Sequence, residues 1–108
     1  MVDVIQSLYQ MMEQRKQEKI DGSYTCYLFE QGVDKILKKC GEECSEVIIA
    51  AKNGKNEDTA SEICDLMYHL LVLMVEQGIT VGEITDILEQ RGKKIGNLKQ
   101  FYQVDRDS

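Results

Sequence analysis

Two stretches of this chain gather acids at helical spacing: Glu42-Glu43-Cys44-Ser45-Glu46 and Glu62-Ile63-Cys64-Asp65. Residues three apart on a helix are surface neighbours, so Glu43 with Glu46, and Glu62 with Asp65, make two like-charged pairs. Winding each stretch at about 100° per residue puts Glu43 and Glu62 at the margin of an apolar stripe, with Glu46 and Asp65 one step further out. Fifteen residues separate Glu46 from Glu62. That is enough to finish one helix, turn near Gly54 and start an antiparallel second, and the two pairs are expected to face each other across the groove between them. Four carboxylates converging there repel unless a cation lies among them, and hard oxygen ligands suit Mg2+ or Mn2+. Such ions leave coordination positions for water and phosphates, so the chemistry indicated is hydrolysis of a nucleotide phosphoanhydride. A single Glu on a helix is ordinarily a solvated surface acid; it is the pair of pairs that sets these four apart. Glu42 points away from the apolar stripe and is expected in solvent.

The other chemically capable residues give weaker signals. Lys38 and Lys39 precede the first acidic stretch, Lys52 follows it, and Arg15 ends the first helix; together they could form a phosphate-binding rim. Pairing of Lys38 with Glu42 and Lys39 with Glu43 at i, i+4 is the competing expectation. No Gly-x-x-x-x-Gly-Lys-Ser/Thr loop and no Gly-x-Gly-x-x-Gly occurs, so metal and side chains, not a backbone cradle, would have to hold phosphate. His69, the only histidine, falls four residues after Asp65 and is expected to be a satisfied structural residue. A di-iron site needs Glu-x-x-His motifs on paired helices, and Asp65-x-x-x-His69 does not supply them. Cys40 and Cys44 lack a second ligand pair for zinc. The four cysteines, Cys26, Cys40, Cys44 and Cys64, are expected to be small packing thiols.

The elements that must position these residues are helices. Proline is absent, aromatics make up 6% of the chain, and Leu, Ile, Glu, Lys and Gln recur, which favours uninterrupted helix. An all-α antiparallel bundle of four main helices is expected, with Gly22, Gly54 and Gly78 as its breaks. The first helix runs from about Val2 to Lys19, followed by a loop over Ile20–Tyr24. A short helical turn spans Thr25–Glu30. The second main helix covers Val33–Asn53, its apolar stripe formed by Ile36, Leu37, Cys40, Cys44, Val47, Ile48 and Ala51. The third covers Glu57–Gln77, and the fourth opens on the capping box Thr80-Val81-Gly82-Glu83. From Leu66 to Val75 the third helix is apolar almost all round, which a small monomer cannot cover, so completion by a second copy as a homodimer is expected. Residues 1–96 read as one domain and 97–108 as a tail.

Charge and hydropathy narrow the function classes. Thirteen Lys and Arg against nineteen Asp and Glu give a net charge of −6, the wrong sign for binding nucleic acid through its phosphates. The longest apolar run, Leu70–Val75, is far short of the ~20 residues a bilayer requires, and the first twenty residues hold no signal-peptide core. A cytoplasmic protein, without nucleic-acid or membrane partners, is expected.

Several segments resemble one family: Ser23-Tyr24-Thr25, Leu28-Phe29-Glu30-Gln31-Gly32, Lys38-Lys39, Gly41-Glu42-Glu43, Glu46-Val47 to Ala50-Ala51-Lys52, and Glu62 through Leu71. They are similar to the phosphoribosyl-ATP pyrophosphohydrolases of histidine biosynthesis, within the all-α nucleoside triphosphate pyrophosphatase superfamily. The resemblance implies Mg2+-dependent hydrolysis of phosphoribosyl-ATP to phosphoribosyl-AMP and pyrophosphate by a helical homodimer. It implies Glu43, Glu46, Glu62 and Asp65 as metal ligands, and a separate cyclohydrolase for the next step. The alternatives are a house-cleaning pyrophosphatase acting on other nucleoside triphosphates, or a helical interaction module without catalysis.

Overall fold

The computed structural model describes residues 3–94, which form five helices and no strand. Helix α1 spans Val4–Gln17, α2 Tyr24–Gln31, α3 Val33–Lys52, α4 Asn56–Gln77 and α5 Val81–Gly92. The expected all-α class holds. The count differs, because the short turn expected over Thr25–Glu30 is a complete eight-residue helix. Ser23 explains its start: its hydroxyl accepts from the Cys26 backbone N–H at 3.1 Å, satisfying one of the four N–H groups a helix start leaves unpaired. Gly32, at φ +91°, closes α2 and allows α3 to begin one residue later.

The remaining boundaries follow the same logic. Asp3 accepts from Ile5 and Gln6 N–H groups at 3.0 and 3.2 Å and so starts α1 at Val4, later than expected. Helix α1 ends at Gln17, capped by Glu18, and not at Gly22, which lies in the following loop. The capping box of α5 is present as expected, Thr80 and Glu83 each accepting the other's backbone N–H. Gly78 caps α4 in the left-handed conformation. The tail from 97 to 108 lies outside the described residues.

Helices α3 and α4 form the dominant hairpin, reversing through Gly54 at φ +76°. Helix α1 crosses α2 and α4, and α5 meets only α1 among the helices. Met12, Leu28, Ile36 and Val72 are the fully buried centre of the core, surrounded by Tyr9, Leu71, Val75 and Val81. The Tyr9 hydroxyl donates to the Ile79 carbonyl at 2.7 Å, tying α1 to the α4–α5 turn, and Lys16 pairs with Glu76 at 3.4 Å.

The core is narrower than the apolar pattern of the sequence. On α3 only Ile36 and Ala50 are buried apolar residues; Leu37, Cys44, Ile48 and Ala51, expected in the stripe, are exposed. The thiol expectation is corrected likewise: Cys26 is buried and Cys40 half-buried, whereas Cys44 and Cys64 are exposed. Both lie in sequence between the paired acids.

Candidate active site

The α3–α4 hairpin brings the acids together. One carboxylate oxygen from each of Glu43, Glu62 and Asp65 lies within 4.8 Å of the other two. The fourth acid, Glu46, is exposed yet approaches both Glu43 and Glu62 closely enough to couple their protonation. All four residues singled out by spacing therefore meet at one place, two from each helix. Glu43 is the deepest, only 7% exposed.

Electrostatics at this point are unfavourable for four free anions. The Glu43 carboxyl is pushed up to about 7, chiefly by sharing a proton with Glu46, then by burial and by the charges of Glu46 and Asp65, with Lys39 opposing. Burial first, and then the Glu46 carboxyl, raise Glu62. Glu46 moves the opposite way, held below the usual carboxylate range by the hydrogen bonds it accepts from Glu43 and Glu62. Ionised carboxylates offer only acceptors. Oε2 of Glu43 and Oε2 of Glu62 are buried with no hydrogen-bond partner among the described residues, and a proton or a cation between the acids would satisfy them. The donor set, all carboxylate oxygen, fits a hard divalent ion.

The basic candidates separate. Lys39 stands at the acids, its Nζ 3.4 Å from Glu42 and 3.7 Å from Glu43. Glu42 is thus exposed, as expected, but its ion pair is with Lys39 at i, i+3 where Lys38 at i, i+4 was the expectation. Lys38 and Lys52 are exposed elsewhere on α3. Arg15 lines a separate recess with Lys16, Lys19 and Phe29. The structure does not assemble the four into one rim.

His69 is buried and hydrogen-bonded through both ring nitrogens, as expected of a structural residue. Nδ1 lies 2.7 Å from the Asp65 backbone oxygen and Nε2 2.9 Å from the Tyr24 hydroxyl. Next to it, the Thr25 and Tyr68 hydroxyls are hydrogen-bonded to each other. Tyr24, placed in a loop by periodicity, is instead the first residue of α2, and its ring edges His69 at a centroid distance of 5.6 Å. Spacing alone could not find this residue; the signal available was Ser23, whose capping role turns Tyr24 into a fixed first-turn position.

Fold and site define a class: a small helical protein whose central hairpin presents an all-carboxylate cluster fit for a divalent cation. The protein-family model described as Phosphoribosyl-ATP pyrophosphohydrolase matches residues 5–92. A Phosphoribosyl-ATP pyrophosphatase of Clostridium botulinum (strain Hall) is 58% identical over 97 residues, covering 90% of this chain and 88% of that protein. One of Bacillus cytotoxicus is 45% identical over 105 residues, covering 97% and 98%. The Histidine biosynthesis bifunctional protein HisIE of Caldanaerobacter subterraneus subsp. tengcongensis is 50% identical over 93 residues, 86% of this chain and 45% of that longer protein. The chain belongs to the phosphoribosyl-ATP pyrophosphohydrolase family and is a hydrolase.

Proposed function

We propose that this protein hydrolyses phosphoribosyl-ATP to phosphoribosyl-AMP and pyrophosphate in histidine biosynthesis, using Mg2+ held by Glu43, Glu46, Glu62 and Asp65. The observation that carries the metal assignment is the pair of buried, unpartnered oxygens on Glu43 and Glu62, from facing helices. When bound, the cation supplies charge neutralisation for the polyphosphate and for the pyrophosphate leaving group. Glu43 and Glu62 provide the buried pair of ligands and Glu46 and Asp65 the exposed pair. Lys39 holds the outer edge of the cluster, neutralising Glu42 and Glu43 and presenting an ammonium where phosphate oxygens arrive. Any cation must displace the proton that Glu43 holds up to about 7, so its affinity rises as pH increases through that value.

The protein acts as a homodimer. Large apolar side chains remain exposed on every helix, including Ile48 and Ile49 on α3, Ile63, Met67 and Leu70 on α4, and Ile87 and Leu88 on α5. The radius of gyration, 16.8 Å, exceeds the ~13 Å of a compact domain this long. Both features suit a half-assembled bundle. No helix of the described residues is long and apolar enough to cross a membrane. The fused bifunctional relative supports a functional link to a cyclohydrolase, and we place the protein in the cytoplasm with that enzyme.

The test is pyrophosphate release with Mg2+ from phosphoribosyl-ATP, set against a panel of ribo- and deoxyribonucleoside triphosphates. Higher kcat/KM for phosphoribosyl-ATP is expected. Preference for a plain triphosphate would replace this assignment with a house-cleaning activity, and no turnover of any of them would leave an interaction module.

A further inference from the structure

Beside the acidic cluster lies an apolar pocket of about 440 Å3, with Ile5, Leu8, Tyr24, Asp65, Tyr68 and Leu71 in its wall. Tyr24 stands where the pocket meets the acids, the residue 45% exposed and in the field of Lys39 and Glu43. The hydrogen-bond chain behind it fixes what its hydroxyl can offer. His69 Nδ1 faces the Asp65 carbonyl oxygen at 2.7 Å, and a carbonyl only accepts, so Nδ1 carries the hydrogen. In the neutral ring Nε2 is then an acceptor, a tautomer assigned from its partners. The Tyr24 hydroxyl, 2.9 Å from Nε2, must donate to it. Its single proton points inward, and only lone pairs remain for whatever enters the groove. A phosphate oxygen, itself an acceptor, gains nothing from them.

We propose that Tyr24 is a substrate-contacting residue that accepts a hydrogen bond from a sugar hydroxyl of the nucleotide, with His69 as the positioning residue that keeps its lone pairs turned outward. This rests on the phosphoribosyl-ATP reading above: with polyphosphate at the carboxylates, the ribose is the next group along the nucleotide, and the base then falls towards the apolar pocket. A sugar hydroxyl is the hydrogen-bond donor that the nucleotide offers nearest its phosphates. Lys39 stands at the same site, paired with Glu42 and Glu43.

The experiment is steady-state kinetics of the full chain on phosphoribosyl-ATP with Mg2+, comparing wild type with Tyr24→Phe, which keeps the ring and removes the oxygen. KM is expected to rise about 3- to 10-fold, the loss of one neutral hydrogen bond, with kcat within about two-fold, because the contact is equal in ground and transition states. Mn2+ affinity by titration calorimetry should be unchanged. Adding His69→Ala to Tyr24→Phe should raise KM no further, since both act through one contact. An unchanged KM, a fall in kcat at constant KM, a parallel loss of Mn2+ affinity, or additive effects of the two substitutions would each overturn the proposal. Failure of the functional reading looks different: wild type itself then leaves phosphoribosyl-ATP intact.

Discussion

Glu43 shows how far a single residue can be read from its neighbours. Its spacing from Glu46 and its place at the stripe margin were visible in the sequence, and the structure puts it against Glu46, Glu62 and Asp65. Its burial was not visible, because depth depends on how α4 packs over α3. The consequence is a pH dependence of definite sign. Glu43 titrates at about 7 in the folded protein against an ordinary 4.5, so its contribution to stability is complete below about 4.5 and is lost as pH rises through about 7. The melting temperature of the metal-free protein should therefore fall across that window, and Glu43→Gln should flatten the fall; identical slopes for the two proteins would contradict the assignment. Tyr24 and His69 mark the opposite limit. They are 45 residues apart in the chain, and no local period connects them, so their bond is a product of tertiary packing alone.

At the scale of elements, α2 carries more of the site than its eight residues suggest. Its central residue Leu28 is wholly buried and its first residue reaches His69, so fixing its start fixes Tyr24. Ser23→Ala removes the cap and should cost about 1 kcal/mol of stability, read by urea denaturation; a larger rise in KM than stability loss alone explains is expected with it, because Tyr24 shifts. Leu28→Ala should cost about 2–5 kcal/mol by leaving a cavity under α2. The long helices were legible because their apolar repeats run for five turns or more, and the α5 capping box marked its own start. A two-turn helix has too few repeats to announce itself, and Gly32, which lies between the expected turn and the second main helix, is the joint between two helices.

At the scale of the whole molecule, composition established helix and the excess of apolar surface on α4, but not which faces the chain covers by itself. The exposed set Ile63, Met67 and Leu70 lies along one side of α4, at the spacing of a helix-packing face. Leu70→Asp should convert a dimer into a monomer in sedimentation velocity while the helical circular dichroism persists, whereas a wild type that sediments as a monomer would remove the basis for the dimer. We place both assembly and catalysis at the α3–α4 hairpin, where the acids face each other. The most direct test is calorimetric titration of Mn2+ into the wild type, Glu43→Gln and Glu62→Gln proteins at about pH 8, above the value at which Glu43 gives up its proton. Saturable binding by the wild type is expected, lost in both variants while each remains folded. Equal affinity in all three would show that the carboxylates do not form a cation site.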